Sequence, residues 1–224
     1  MRERNYTIPI NESFAQKDGC AVCRLYANLE KASLEYAISP AMMEPDVRQE
    51  TNKHGFCPDH YQTLMTMKNR LSLALTLETR LQEIVKALEK LETPRKPPGA
   101  PQLSPDVKID CFVCRRVELF FKAYVSNILF LWDTEPDFKT LFAAQPEICL
   151  PHTARLLHSA PGELGKKNAK LFAADLSAVV LPKAKELSER VSRFCKSFDH
   201  RFAGQDLGDA KTAVEDAVKW LSGV

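Results

Sequence analysis

Hydrophobic positions recur at helical spacing wherever a pattern can be read along this chain. From Asn69 to Leu91, the residues Leu71, Leu75, Leu81, Ile84, Val85, Leu88 and Leu91 fall at spacings of three, four and seven, with Glu78, Arg80, Lys86, Glu89 and Lys90 on the other side. That predicts one amphipathic helix. An earlier helix is predicted from about Cys23 to Ala37, with Leu25, Leu29, Ala32 and Tyr36 on its inner stripe. Arg115 to Leu131 then repeats the first helix, and Leu164 to Phe202 repeats the second, with a kink or break expected near Pro182. A last amphipathic segment, Ala210 to Leu221, turns Ala213, Ala217 and Trp220 towards the rest. Strand-like alternation is almost absent, and 224 residues hold only 8 glycines, so the expected class is all-α.

A proline-rich break divides the pattern. Thr93 to Pro105 carries five of the 14 prolines, each lacking the amide that a helix needs, and reads as an extended linker. The expected organisation is a first helical repeat over 1–92, a linker over 93–108, a second repeat over 109–203 and a C-terminal helical extension over 204–224.

The repeats carry the chain's chemistry. Cys20-x-x-Cys23 is followed by Cys57-x-x-His60 with 33 residues between the pairs, and Cys111-x-x-Cys114 by Cys149-x-x-His152 with 34 between. Six of the 7 cysteines and two of the 5 histidines fall into this arrangement. Each copy offers three thiolates and one imidazole, the ligand set of a closed four-coordinate zinc site, so two zinc ions per chain are expected. Cys57-Pro58-Asp59-His60 and Cys149-Leu150-Pro151-His152 read as helix openings, where residues three apart share a face and can grip one ion. Asp18 and Asp110 suit helix capping ahead of the other two pairs. The simplest pairing closes each site within its own copy. Cys57 then returns beside Cys20, and the extended length of Ser39 to Phe56 allows it. The architecture expected is two helix–long loop–helix units, each clasped by a metal site. The spacing leaves open an exchange in which Cys20 and Cys23 join Cys149 and His152.

The remaining cysteine and histidines carry less. Cys195 lies in a helical stripe with Val191 and Phe198 and reads as a buried, inert thiol; His54 reads as a solvated loop residue. His158 and His200 have no partner at ligand spacing.

Composition limits the functions. The net charge is +2, with 12 basic and 13 acidic residues in 1–92 and 19 and 16 in 93–224, so neither part is a block for binding nucleic acid. The longest apolar run, Val117 to Trp132, contains Lys122 and is shorter than the ~20 residues a membrane span needs. No membrane partner is expected. The polar start, Met1 to Tyr6, lacks a secretory pattern, and a cytoplasmic location is expected. A reducing compartment favours metal ligation over disulfides.

Several stretches resemble an uncharacterised family of bacterial proteins found largely in anaerobic Gram-positive species. They are Tyr6-Thr-Ile-Pro-Ile-Asn11, Met43-Glu-Pro-Asp-Val-Arg48 with Glu50-Thr-Asn52, Gly55-Phe-Cys57-x-x-His60, Asn69-Arg-Leu-x-Leu-Ala-Leu75 and Phe198-Asp-His-Arg201. The resemblance runs end to end and implies a ligand role for Cys20, Cys23, Cys57, His60, Cys111, Cys114, Cys149 and His152. Glu147-Ile148 stands where that family has Gly-Phe before a ligand cysteine, and Asp206-Leu-Gly-Asp209 lacks an expected tryptophan. Some members carry a transporter substrate-binding label, which no export signal or alternating strand–helix pattern here supports.

No nucleophile–base pair, phosphate loop or open metal position appears, so no catalytic residue is assigned. The expected function is a zinc-stabilised scaffold or protein-interaction module. A thiol-based redox or metal sensor is the alternative, and an enzyme built on the Glu44, Asp46 and Arg48 loop is a second.

Overall fold

A computed structural model describes residues 6–92, 111–199 and 206–223. The expected linker, Asp110, His200 and the side chain of Leu91 lie outside the described residues. Every regular element among the described residues is helical: α1 (Thr7–Ala15), α2 (Ala21–Ala37), α3 (Pro45–His54), α4 (Pro58–Thr66), α5 (Arg70–Glu92), α6 (Phe112–Thr134), α7 (Pro136–Ala143), α8 (Leu150–Lys196) and α9 (Ala213–Ser222). Short 3-10 turns occupy Pro40–Met43 and Gly208–Thr212. The all-α class and the C-terminal helical extension hold.

The connection between α2 and α4 is more ordered than its proline content suggests. Ser39 caps the 3-10 turn with its hydroxyl, Pro45 opens α3, and α3 closes at Gly55, whose amide donates to the Thr51 carbonyl at 2.8 Å. Gly55 sits at φ +62°, where a side chain would be strained. The other long helix breaks at Gly165 (φ +72°, ψ +166°), which divides 150–164 from 166–196. Pro182 leaves the helical dihedrals intact, so the break expected there falls 17 residues earlier, where glycine removes the steric bar to a positive φ.

The described chain forms two compact units, residues 1–26 with 122–224, and residues 27–121. In the first, Phe14, Phe138, Phe142, Phe172 and Trp132 form a chain of ring contacts at 5.0–5.9 Å, joining α1, α7, α6 and α8. Gln145 donates to the Phe14 carbonyl at 2.7 Å and Ser13 to that of Ala21, also at 2.7 Å, fixing α1 beside the start of α2. The C-terminal segment docks through Arg190, a buried guanidinium that donates to the Asp209 carbonyl, the Thr212 hydroxyl and the Asp216 carboxylate.

In the second unit, Leu34, Ala37, Ile38, Val47, Phe56, Leu64, Leu73 and Val117 enclose one core. Arg48 donates to the carbonyls of Met42 (3.0 Å) and Leu75 (2.6 Å) and to the Thr79 hydroxyl (3.2 Å), tying the 3-10 turn and α3 to α5. The stripe predicted for α5 is out of phase with its buried face. Leu73, Thr76 and Leu77 pack inward, whereas Leu71, Leu81, Val85 and Leu88 are exposed. The α3 packing covers the first half of the helix and leaves the apolar side of the second half in solvent.

Candidate metal centres

Four helices begin on ligand pairs, each in the same way. Cys20, Cys57, Cys111 and Cys149 directly precede α2, α4, α6 and α8, and each carbonyl accepts the first helical hydrogen bond, at 2.9–3.3 Å. Cys23, His60, Cys114 and His152 follow three positions later, so both members of a pair face the same way past the helix start. Proline in the first turn of α4 and α8 costs nothing there, because those amides have no partner within the helix.

The pairs meet across the repeats. Cys20, Cys23, Cys149 and His152 form one quartet, and Cys57, His60, Cys111 and Cys114 the other, with all ligand atoms of each quartet within 4.8 Å of one another. The first lies wholly in the unit of residues 1–26 and 122–224, the second wholly in the unit of residues 27–121. The pairing expected within each copy is thus replaced by the exchanged one. The 17 residues of α2 carry the chain about 26 Å from Cys20. Residues 39–56, which could run back extended, are instead coiled into a 3-10 turn and the 10-residue α3. Cys57 packs in one core with Leu34 and Ala37 at the end of α2. There the Gly55 carbonyl accepts from the Phe112 amide at 2.9 Å, drawing the start of α6 alongside.

Both imidazoles turn Nδ1 inward. His152 Nδ1 lies 3.0 Å from Cys149 Sγ, 3.3 Å from Cys23 Sγ and 3.9 Å from Cys20 Sγ, and Cys23 and Cys149 are 3.5 Å apart at sulfur. His60 Nδ1 lies 3.1 Å from Cys57 Sγ, 3.2 Å from Cys111 Sγ and 3.5 Å from Cys114 Sγ. On its far side His60 Nε2 meets Glu30 Oε1 at 3.1 Å. Six of the eight side chains are buried, and Cys23 and Cys114 are half-buried. The C-terminal helix closes on the first quartet. Trp220 donates to the Ile148 carbonyl at 3.1 Å, and a Cβ on Gly223 would come within 3.4 Å of Cys149 Sγ.

Electrostatics favour a cation in each quartet. Hydrogen bonds from Cys149 and Cys23 hold the Cys20 thiol well below its usual range. Cys23 is raised by donating to Cys149 and Cys20, and Cys149, donating to Cys20, is pushed up to about 12. In the second quartet burial works against ionising Cys111, yet donation from His60 and from the Cys114 and Cys57 amides brings it down to about 6. Burial raises Cys57 and Cys114. Packed this closely, the thiols of each quartet oppose one another's ionisation. Ionising them together takes positive charge, which a divalent cation would supply. Two helix N-termini at each quartet add partial positive charge on the same side of the balance. Both quartets could therefore hold a metal ion.

Other sites of interest fall elsewhere. Arg48 is committed to backbone carbonyls, and Glu44 and Asp46 are exposed, so the three do not converge. Asp18 accepts from Arg24 at 2.7 Å instead of capping α2. His54 is buried against Glu50 at 3.2 Å, because α3 extends through it. Cys195, expected inside, is exposed near the end of α8. His158 is exposed as well. Glu30 escapes a reading of the sequence: it is one of several acidic residues on the first repeat, and only its place seven residues after Cys23, on the same helix face, marks it.

Comparison with known proteins places the chain. A model of the family of unknown function DUF6062 matches residues 1–224. The chain belongs to that family. An uncharacterised 23.9 kDa protein encoded in the xynA 3' region of Caldicellulosiruptor sp. (strain Rt8B.4) is similar, at 22% identity over 186 residues covering 83% of this chain and 85% of the relative. No solved structure gives a significant match. Among the described residues of this DUF6062 member, no helix is long and apolar enough to cross a membrane.

Proposed function

We propose that each quartet binds one zinc ion in a structural role, and that the protein is a cytoplasmic scaffold or protein-interaction module held together by two such ions. The convergence of three sulfurs and one imidazole nitrogen within 4.8 Å carries this reading. A tetrahedral zinc with ordinary bond lengths has sulfur–sulfur edges of about 3.8 Å and sulfur–nitrogen edges of about 3.6 Å. The observed 3.5 Å and 3.0–3.9 Å lie close to those values. Thiolate-rich sites prefer zinc to hard cations, and four protein ligands leave no position for a reacting water. Residues 1–92 and 109–203 are then copies of one unit that exchange ligand pairs.

The exposed face of Leu81, Val85 and Leu88 on α5 supports the interaction role, since it presents apolar surface with no cover among the described residues. Elemental analysis of protein purified without added metal tests the zinc reading. Two equivalents of zinc per chain are expected, and iron or no metal would overturn it.

Half-burial of Cys23, 3.5 Å from Cys149 at sulfur, favours a second reading as a thiol-based redox or metal sensor. Mild peroxide separates the two: a sensor releases zinc with reversible loss of helicity, and a scaffold keeps both.

A further inference from the structure

The geometry points to Glu30 as a positioning residue for the second centre, one that fixes the His60 ring and strengthens that centre's hold on its ion. The inference rests on the reading that both quartets bind zinc.

His60 is buried, and its two ring nitrogens have different tasks. Nδ1 faces Cys57, Cys111 and Cys114, while Nε2 lies 3.1 Å from the Glu30 carboxylate. With the Nε2 proton donated to Glu30, the ring is fixed in the tautomer whose Nδ1 lone pair points at the ion. The carboxylate also makes that lone pair more basic, which strengthens the bond to the metal. Glu30 comes from α2 and His60 from α4, so the pair fixes the imidazole plane against the neighbouring helix and not only against its own.

The copies differ at this position. Glu30 stands seven residues after Cys23; seven residues after Cys114 stands Phe121, a hydrocarbon ring that cannot accept a hydrogen bond. The carboxylate at this position therefore belongs to the first copy alone.

Chelator competition on the full chain, run beside Glu30→Ala and Glu30→Gln, tests this. In Glu30→Ala one zinc equivalent weakens by about 10- to 100-fold while the other keeps its wild-type affinity. Glu30→Gln, whose amide oxygen still accepts, falls between and carries the test if the alanine variant does not fold. In 15N-histidine-labelled protein the Nε2 resonance of His60 shifts in both variants and that of His152 does not. Unchanged affinities with an unmoved His60 resonance overturn the role of Glu30, as does equal weakening of both equivalents. A wild-type protein that takes up no zinc is a distinct result and overturns the underlying metal reading as well.

Discussion

His60 Nδ1 lies 3.2 Å from Cys111 Sγ, although 51 residues separate them. Cys20, which shares a repeat with His60, is instead grouped with Cys149 and His152. Each centre thus joins a pair from one copy to a pair from the other, and α2 and α6 each begin at one centre and end in the other unit. On the proposed reading, removing either ion would loosen ligand pairs from both copies.

Metal removal is therefore expected to cost the fold more than a local loop. Structural zinc contributes roughly 10–16 kcal/mol in small fingers, against about 5–15 kcal/mol for the stability of a whole domain. A strong chelator at neutral pH should abolish cooperative thermal unfolding as followed by circular dichroism, and added zinc should restore it. An unchanged transition after complete removal of metal would contradict this.

The aromatic core of the first unit gives a prediction independent of metal. Phe172 is fully buried and touches both Trp132 and Phe142. Phe172→Ala should destabilise the zinc-loaded protein by about 3–5 kcal/mol in urea titration, through lost burial and the cavity left behind. A shift below about 1 kcal/mol would mean that the rings do not pack as described.

Arg190 docks the C-terminal segment and should do so in a pH-dependent way. Arg190→Met should lower stability by about 1–3 kcal/mol and expose Trp220, visible as a red shift in fluorescence. Donation from Arg190, and then from Thr212, holds the Asp216 carboxyl below its ordinary value. A depressed carboxylate stabilises fully above its unfolded pKa of about 3.9 and loses that contribution as pH falls through the lower folded value. The stability gap between wild type and Arg190→Met should accordingly be constant from neutral pH to about 5 and narrow below about 4.

The outer face of α5 should be dispensable for folding. Leu81→Lys and Leu88→Lys together remove exposed apolar surface, and a change within roughly 0.5 kcal/mol is expected for each site. A soluble partner or self-association that depends on this face should be lost in the same variant, measured by light scattering or pull-down. Large destabilisation would show that the face is covered.

Much of this fold is legible in helical periodicity. α2, α5, α6 and α9 lie where the helical spacing of apolar residues predicts helices, and the eight ligand positions stand out by spacing alone. What periodicity does not resolve is phase and partner. Leu81, Val85 and Leu88 repeat like core residues because a helix cannot report whether a neighbour covers its apolar side. Pro182 is the stronger written signal for a break, yet Gly165 bends the chain, since only the backbone dihedral distinguishes a tolerated proline from a hinge. The exchange of ligands is hidden for a simpler reason. Spacings of 33 and 34 residues make the copies chemically interchangeable, and no spacing records that Cys57 packs with Leu34 and Ala37 at the end of α2.

Zinc stoichiometry in paired ligand variants tests that exchange most directly. Cys57→Ser with Cys111→Ser removes two ligands from one centre, so the protein should retain one zinc per chain. Cys57→Ser with Cys20→Ser removes one ligand from each and should leave neither centre intact, with less than one tightly held zinc per chain. The opposite pattern, one zinc in the second variant and none in the first, would mean that each copy closes its own site and that no ligands are exchanged.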